Sequence, residues 1–375
     1  MEKHLHILSF DVPYPADYGG VIDVFFKLKE LHAQGVKLHL HAFEYGRERS
    51  LELDKVCASV HYYKRDTSLL KHLSFLPYIV ASRNSQSLMQ RLLEDDYPIL
   101  MEGMHTTALL LDKRFAKRSL IYRESNIEHQ YYAQLVKRET HWLKKLFFSI
   151  EAWKLKQYEP HLRKASMALV VSTTDTHYLQ SKYPDLASHY LPSFHPGEFT
   201  LKEDVKEPYI LFHGNLSVAE NADAAIFLAA VLKETPYRFV LAGKHPRIDL
   251  IRLVKSAPNI KLVCDPDDAT MQSLVSKAQV NLLYTAEPAG LKLKLLNVLF
   301  NGGHVVCNDA MLVGTGLEVL CHLANNEAQL KHTLNELMQV SFNKESWNAR
   351  KQLLYPRFSN EANANQLIEL VFGAN

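Results

Sequence analysis

The stretch VNLLYTAEPAGLKLKLLNVLFNGGHVV, residues 280–306, predicts a strand, a loop, a helix and a second strand. Gly290 stands at the mouth of the helix, and Lys292 and Lys294 follow in its first turn. The N–H groups at a helix N-terminus bind anions, and a glycine lets a ligand approach them closely. The pattern therefore predicts a phosphate-binding loop, as expected in an enzyme that uses a nucleotide or a sugar phosphate.

The elements that position this loop alternate between strands and helices along the whole chain, which predicts two doubly wound α/β domains. The segment LPSFHPGEFTLKEDVKE interrupts the alternation, and its prolines and charges indicate a linker. The C-terminal helix is expected to follow the second domain, and packing against the first domain is one option for it. The expected division is an N-terminal Rossmann-like domain at 1–192, a linker at 193–207, a C-terminal Rossmann-like domain at 208–354 and a last helix within 355–375.

The composition is that of a globular protein with more than one core. The chain has 375 residues, of which 47% are apolar and 22% charged. It lacks a run of about 18 apolar residues, and its start does not resemble a signal peptide, so we expect a cytoplasmic protein. The four cysteines are scattered and the 19 histidines show no HExxH spacing. We therefore expect no disulfide framework, no bound metal and no resident cofactor.

The net charge of +2 is unevenly distributed, because residues 112–164 hold 13 Lys and Arg against 6 Asp and Glu. Within this zone, Ile127–Lys164 predicts a long helical region with tryptophans and leucines at helical spacing, flanked by lysines. Such a helix can lie in a membrane interface, so residues 135–164 are a candidate for peripheral contact with the inner face of a membrane. The alternative, which we favour, is a helix packed on the N-terminal sheet with its lysines in water. We expect no nucleic-acid partner.

Seven segments in order along the chain resemble the GT-B glycosyltransferases, most closely the family-4 type of retaining, nucleotide-sugar-dependent transferases. They are PYPADYGG (Pro13–Gly20), EGMHT (Glu102–Thr106), RESNIEH (Arg123–His129), SFHP (Ser193–Pro196), HGNLS (His213–Ser217), LAGKHP (Leu241–Pro246) and GLKLKLLNVLFNGGHVV (Gly290–Val306). The resemblance implies a GT-B fold, with two Rossmann-like domains facing across a cleft. It also implies metal-independent transfer from a UDP- or GDP-sugar to a glycan or lipid-linked acceptor, in surface polysaccharide or lipopolysaccharide synthesis.

The resemblance assigns catalytic and acceptor-side roles to the N-terminal domain. His105 matches the histidine that such enzymes place near the transferred sugar, and Glu102 beside it is a second candidate. Gly19 and Gly20 match the loop that approaches the donor diphosphate and the acceptor. The alternatives are a histidine that only hydrogen-bonds locally and an ordinary tight turn between strand and helix.

Three further residues follow a predicted strand and are candidates for the acceptor side. Arg123, Asn126 and His129 could line the cleft there. The alternative is a helix N-terminus capped by Ser125 or Asn126.

The C-terminal half departs from the family pattern at the donor site. The family generally carries an arginine and a lysine on the donor diphosphate, where this chain has Asn215 and Glu220. The family's E-x7-E motif has two glutamates, and this chain has Ala289 and Asn297 at those two positions. Glu287, in the preceding loop, is a candidate substitute. We expect Lys294 to take over the diphosphate, with Lys292 as second choice. The expected donor-binding residues are Gly20, Gly214, Asn215, Glu287, Gly290, Leu291, Lys292, Lys294 and Asn297.

Two other functions remain open at this point. A nucleotide-sugar epimerase has the same architecture, and the replaced motif residues also fit a non-catalytic binding or scaffold protein. A Rossmann dehydrogenase is disfavoured, because no GxGxxG follows a predicted strand.

Overall fold

A computed structural model describes residues 2–197, 207–286 and 293–373. The chain divides into two compact units, Met1–Phe194 with Phe358–Asn375 and His195–Arg357. Each unit is built around one parallel sheet. Most of the predicted linker, residues 198–206, and the loop at 287–292 lie outside the described residues.

The first unit carries seven strands and most of the helices of the N-terminal half. The strands are β1 (His4–Ser9), β2 (Lys37–Glu44), β3 (Ser59–Lys64), β4 (Ile99–Glu102), β5 (Leu120–Glu124), β6 (Met167–Val170) and β7 (Ser188–Tyr190). The helices are α1 (Gly19–Ala33), α2 (Leu69–His72), α3 (Tyr78–Ala81), α4 (Gln86–Leu92), α5 (Glu128–Arg138), α6 (Trp142–Tyr158) and α7 (Thr173–Lys182). A 3₁₀ helix at Met104–Leu111 follows β4, and another at Glu159–Lys164 follows α6.

The second unit repeats the alternation with six strands. These are β8 (Ile210–His213), β9 (Phe239–Gly243), β10 (Ile260–Cys264), β11 (Val280–Leu283), β12 (His304–Cys307) and β13 (His322–Leu323). The helices are α8 (Ala219–Leu232), α9 (Ile248–Lys255), α10 (Asp268–Lys277), α11 (Leu293–Asn301), α12 (Asp309–Leu312), α13 (Glu327–Leu337) and α14 (Lys344–Phe358). The last helix, α15 (Asn360–Phe372), belongs to the first unit, where it packs against α1 and buries Leu367.

Both sheets are parallel and doubly wound, as predicted. The strand order is β3-β2-β1-β4-β5-β6-β7 in one and β10-β9-β8-β11-β12-β13 in the other. Each order reverses beside the first strand of its sheet, between β1 and β4 and between β8 and β11. In open α/β sheets, ligands bind outside the carboxyl ends of the strands at such a reversal. The topology therefore marks one candidate ligand site in each unit.

The central strands are apolar along their length because helices cover both faces of a parallel sheet. Ile99, Leu100 and Met101 of β4 are fully buried, as are Ile210, Leu211 and Phe212 of β8. Short, continuous apolar runs of this kind are typical of buried strands in parallel sheets, so they can be predicted from the sequence.

Two local predictions need correction, and one strand was not predicted. The helical region predicted over Ile127–Lys164 is broken, because Glu139 leaves the helical conformation and accepts a hydrogen bond from the backbone of His141. The apolar pattern near Val319–Leu323 predicts a strand, but the structure has a 3₁₀ turn at Glu318–Leu320 and only two strand residues, His322–Leu323. Strand β7 was not predicted, because its three residues Ser-His-Tyr carry no apolar pattern.

Candidate functional site

In the first unit, Phe10 holds together the elements that meet at the carboxyl end of β1. Its ring centroid lies 5.0 Å from that of His105, which follows β4. Its carbonyl oxygen accepts a hydrogen bond from Nε of Arg83 at 2.8 Å. A Cβ atom added at Gly20 would lie 2.5 Å from Cζ of Phe10, so only glycine lets α1 approach this closely. The predicted Gly20 and His105 therefore do lie together, on either side of a phenylalanine that the sequence pattern did not indicate.

The N-terminus of α1 is open to a ligand. The helix begins at Gly19, which is exposed, and its cap residue Tyr18 makes no side-chain hydrogen bond to the first turn. The first N–H groups of a helix have no partner inside the helix. Gly19 and Gly20 therefore present backbone donors beside Phe10, and their predicted approach to a diphosphate or an acceptor stays a prediction.

His105 is an uncharged imidazole with one unsatisfied nitrogen. Its Nδ1 is buried and has no hydrogen-bond partner within the described part of the chain. Burial, and then the positive charges of Arg83 and Arg65, hold the pKa of His105 well below its ordinary value. Gly103, with φ of 68°, makes the turn that presents it. A neutral imidazole at this position can exchange hydrogen bonds with a sugar hydroxyl.

The Glu102 side chain is buried and paired inside the first unit. Its side chain is 3% exposed, and Oε1 accepts a hydrogen bond from Nζ of Lys27 at 2.5 Å. The same ammonium lies 3.1 Å from Oδ2 of Asp23, one turn earlier in α1. The expectation that Glu102 takes part in catalysis is corrected here: its carboxyl group ties β4 to α1 inside the unit.

Arg123 is likewise internal rather than at the acceptor side. It is 1% exposed, and its Nε donates to Oδ2 of Asp23 at 3.2 Å. Its terminal nitrogens donate to the carbonyl oxygens of Leu191 and Pro192 at 2.6 and 3.0 Å. The guanidinium group therefore holds β5, α1 and the segment after β7 together. These internal hydrogen bonds take the place of the contact with the acceptor that we expected for Arg123.

The two other acceptor-side candidates differ from each other. Asn126 is exposed, so its amide group is available to a ligand. The cap of α5 is Ile127, without a side-chain hydrogen bond, so the interpretation of Ser125 or Asn126 as the cap is wrong. His129 is engaged inside the unit, because its Nδ1 lies 2.7 Å from Oε2 of Glu159.

In the second unit, a tight turn follows β8 at Gly214 and Asn215. A Cβ atom at Gly243 would lie 1.9 Å from the carbonyl oxygen of Gly214, so the turn packs directly on the end of β9. The side-chain oxygen of Asn215 accepts hydrogen bonds from N and Oγ of Ser217, at 3.1 and 2.7 Å. Asn215 therefore stabilises the turn with its oxygen, while the residue itself remains exposed.

Lys294, in the first turn of α11, reaches the carboxyl end of β8. Its Nζ lies 3.4 Å from Oδ1 of Asn221 and 6.0 Å from the centroid of the Phe212 ring. Burial, and then the charge of Lys294, lowers the pKa of His213 to about 4. The Nε2 atom of His213 is buried and has no hydrogen-bond partner in the described ranges. A positive charge and an unsatisfied imidazole nitrogen therefore stand where the strand order of this sheet reverses.

Glu220 has a defined role that the sequence did not show. Its Oε1 accepts hydrogen bonds from Oγ1 of Thr285 and from N of Ala286, the latter at 3.1 Å. Glu220 lies in the first turn of α8, and Thr285 follows β11. Glu220 therefore fixes the backbone that follows β11, at Thr285 and Ala286.

The remaining donor-binding candidates are only partly described. Asn297 is buried, and its Oδ1 accepts hydrogen bonds from Gln272 and Asn301 at 3.1 and 2.9 Å, so this oxygen joins α11 to α10. The other candidates in this stretch, Glu287, Gly290, Leu291 and Lys292, lie outside the described residues.

We expected helix α6 to bury its apolar side chains, but most of them are exposed. Trp142 and Trp153 are 69% and 61% exposed, and Phe75, in the turn after α2, is 99% exposed. The two helices are neighbours, because Nζ of Lys154 donates to the carbonyl oxygen of His72 at 3.1 Å. Their exposed apolar residues, here called the α2–α6 face, are Leu69, Leu70, Leu73, Phe75, Trp142, Leu143, Leu146, Ile150 and Trp153.

The described ranges hold neither a membrane-spanning helix nor a cluster of metal ligands. None of their helices is both long and apolar enough to cross a membrane. Nor do residues 2–197, 207–286 and 293–373 contain a group of three or more His, Cys, Asp or Glu side chains arranged to hold a metal ion.

Comparisons with known proteins agree with this architecture. No protein-family model matches the chain. A curated Klebsiella pneumoniae protein, "Uncharacterized 44.6 kDa protein in cps region", is 27% identical over 362 residues, 90% of this chain and 92% of that protein. Among solved structures, a glycosyltransferase from Rickettsia africae is similar with a TM-score of 0.70 and 12% identity, covering 99% of this chain and 98% of the other. Anabaena Alr3699/HepE in complex with UDP and glucose has a TM-score of 0.65 and 12% identity, with both chains fully covered.

A third similar structure is the lipopolysaccharide outer core galactosyltransferase WaaB, with a TM-score of 0.61 and 12% identity over 99% of each chain or more. At such identities the likeness concerns the fold. The chain has the two-sheet fold of the GT-B glycosyltransferases.

Proposed function

We propose that this protein is a glycosyltransferase that moves a sugar from a UDP- or GDP-sugar to a glycan or lipid-linked acceptor. The observation that carries the proposal is the position of Lys294, whose ammonium group stands over the end of β8 beside Asn221. In this fold, the reversal of strand order is where a ligand binds, and a nucleotide diphosphate needs positive charge there. Retention of the anomeric configuration and independence of a metal ion are part of the proposal by resemblance.

The proposed chemistry places charge on the leaving diphosphate as the glycosidic bond breaks. Lys294 stabilises this charge, and the backbone of Gly214 and Asn215 positions the nucleotide. The acceptor and the transferred sugar are assigned to the first unit. There His105 exchanges a hydrogen bond with a sugar hydroxyl, while the N–H groups of Gly19 and Gly20 orient a polar group of the substrate.

A role in surface polysaccharide or lipopolysaccharide synthesis is supported by the names of similar proteins. One is a lipopolysaccharide outer core galactosyltransferase, and another comes from a cps region. HepE binds UDP and glucose in its structure, which supports a nucleotide sugar as the donor.

The α2–α6 face supports peripheral contact with a membrane that contains anionic lipids. Exposed Lys144, Lys145 and Lys156 accompany its tryptophans and leucines on α6. Tryptophans beside lysines are typical of helices that lie in a membrane interface. Such contact would place the enzyme at the cytoplasmic face, where a lipid-linked acceptor is reached.

The proposal is tested by titrating UDP and GDP into the wild-type protein and into Lys294→Ala with a calorimeter. We expect one nucleotide to bind and to add about 2.7 kcal/mol of stability at a concentration of 100 Kd. Lys294→Ala should lose at least about tenfold in affinity, because a charge-assisted contact is removed. Lys277→Ala, at an exposed lysine of the same unit, is the matched control and should bind normally.

Other outcomes would contradict the proposal in different ways. No binding of any nucleotide in a panel of nucleotide sugars would indicate a scaffold protein. Conversion of UDP-N-acetylglucosamine to an epimer without any acceptor would indicate an epimerase. Unchanged nucleotide affinity in Lys294→Ala would remove that residue from the site.

A further inference from the structure

Two arginines of the first unit, Arg65 and Arg83, form no ion pair with a carboxylate of the described residues. Neither Arg65 nor Arg83 lies within 4.0 Å of a carboxylate oxygen of any described residue. Arg83 is 6% exposed, and it donates to the carbonyl oxygens of Phe10 and Ile79. Six other arginines of the unit do form ion pairs with a carboxylate less than 3.5 Å away: Arg47, Arg49, Arg114, Arg118, Arg123 and Arg163.

Both of these charges act on the candidate site. Arg83 is bonded to Phe10, whose ring packs on His105, and the charges of both arginines depress the pKa of His105. Arg65 is held in place, because its Nε donates to Oγ of Ser82 at 3.1 Å. Arg83 therefore reaches His105 through Phe10, and Arg65 is bonded to Ser82, the residue that precedes Arg83.

The carboxyl groups nearest to this cluster balance it only weakly. Asp11 and Glu128 act on Arg83 from beyond ion-pair distance. Burial raises the pKa of both, that of Glu128 to about 7, so Glu128 carries only part of a negative charge at neutral pH. A buried positive charge without an ion-pair partner is costly, and an anionic ligand would reduce that cost.

The cluster adjoins the α2–α6 face. The guanidinium group of Arg65 lies over the ring of Tyr78, at 5.0 Å, and that ring stacks on His72 of α2 at 3.9 Å. The same guanidinium group lies 4.3 Å from the centroid of the Tyr45 ring, so Arg65 stands between two tyrosine rings, one of which adjoins α2.

We propose that the acceptor carries a phosphate or diphosphate group, and that Arg65 and Arg83 bind this group in the first unit. The inference rests on the proposed function, because it names the acceptor of that reaction. Guanidinium groups bind phosphate oxygens through paired, charge-assisted hydrogen bonds. The phosphate belongs either to a lipid or to a water-soluble sugar phosphate.

The test measures binding to the full-length protein without nucleotide, using four probes: farnesyl diphosphate, farnesol, glucose 6-phosphate and glucose. At least one phosphate-bearing probe should bind more tightly than its phosphate-free counterpart. Tighter binding of farnesyl diphosphate identifies a lipid as the source, and tighter binding of glucose 6-phosphate identifies a soluble acceptor. If neither phosphate-bearing probe binds, the inference is overturned.

Variants locate the site. Arg65→Gln should weaken binding of the phosphate-bearing probe about tenfold or more. The matched control is Arg49→Gln, since Arg49 also lies over a tyrosine ring, that of Tyr62, but is paired with Glu44. Arg49→Gln should leave binding unchanged, and equal binding by Arg65→Gln and the wild type would overturn the inference.

Two further variants decide whether the probe occupies the first unit or the second. Arg83→Lys keeps the charge at a buried position and should weaken binding by a few fold, with an unchanged circular dichroism spectrum. Lys294→Ala should bind the phosphate-bearing probe normally. If Lys294→Ala abolishes that binding, the probe occupies the second unit and the inference is wrong. Nucleotide binding is measured separately, so its absence refutes the proposed function without deciding this result.

Discussion

The Nζ atom of Lys27 lies 2.5 Å from Oε1 of Glu102, and both side chains are buried in the first unit. Asp23 and Arg123 complete the cluster, so two positive and two negative side chains stand together, each at most 10% exposed. Burial raises the pKa of Glu102, while the neighbouring positive charges outweigh burial at Asp23 and lower its pKa to about 2. The cluster joins α1 to β4 and β5, directly beneath the turn that carries His105.

Lys27→Met should destabilise the first unit by about 3–5 kcal/mol, because it leaves the buried Glu102 carboxylate without its counter-charge. The double variant Lys27→Met/Glu102→Leu should lose less than the sum of the two single variants, since no lone charge remains. Urea unfolding of the four proteins at pH 8 measures both effects.

The matched control is Lys55→Met. Lys55 also lies 2.5 Å from a carboxylate oxygen, that of Glu52, but on the surface, where the lysine side chain is 65% exposed. Water screens this pair, so its loss should cost less than about 1 kcal/mol. Equal losses at Lys27 and Lys55 would contradict the role that we assign to burial.

Five histidines line one face of the first sheet, and they predict a loss of stability in acid. His6 and His41 lie on neighbouring strands with ring nitrogens 2.9 Å apart, and Nδ1 of His41 lies 3.0 Å from the hydroxyl of Tyr63. Burial lowers the pKa of both imidazoles, and it holds that of His41 well below its ordinary value. The folded protein therefore keeps His41 neutral, whereas the unfolded chain binds protons below about pH 6.5, so stability falls as the pH drops below that value.

The variant His41→Gln isolates this effect. Between pH 6.5 and 5, the wild type should lose up to about 1.4 kcal/mol more per pH unit than the variant in urea unfolding. Glu124 and Glu128, whose pKa is raised by burial, act in the opposite direction, but equally in both proteins. Parallel pH profiles of the two proteins would show that His41 already carries its proton in the fold.

His105→Ala should slow sugar transfer about 100-fold or more while donor affinity stays near normal. The reason is that His105 lies in the first unit, beside Phe10 and the start of α1, whereas the proposed nucleotide site is in the second. Steady-state kinetics with the nucleotide sugar found by screening give the measurement. His32→Ala, at an exposed histidine near the end of α1, is the control, and unaltered turnover of His105→Ala would remove that residue from the site.

The pair of changes Trp142→Ser and Trp153→Ser should greatly reduce sedimentation with vesicles that contain anionic phospholipid. Both indole rings stand exposed on the α2–α6 face, so their removal should leave thermal stability nearly unchanged. Trp347→Ser, in the second unit, is the control and should sediment like the wild type. Equal sedimentation of all three proteins would show that the face serves another purpose.

The order of strands and helices can be predicted from the sequence because it depends on local periodicity. The pattern predicts helix α9 at Ile248–Lys255, as observed, and it places most other elements within a few residues. Runs of buried apolar residues and the alternation of elements then imply parallel, doubly wound sheets without any knowledge of contacts. Local pattern also points to Gly20, His105 and Lys294, since each stands directly beside the end of a predicted element.

Contacts between residues distant in the chain were decided by the tertiary structure alone. Arg123 has the motif and position of an acceptor-side residue, but folding brings it to Asp23, 100 residues earlier, and buries it. Glu220 stands where the resemblance led us to look for a lysine, but it contacts Thr285, 65 residues later. Arg83, which stands in no recognisable motif, reaches the candidate site only because its guanidinium group bonds to Phe10. The sequence pattern shows which face of a single helix or strand is buried, because that depends on local periodicity. The pairing of charges depends on which helices and strands become neighbours, and only the order of strands in the folded sheet decides this.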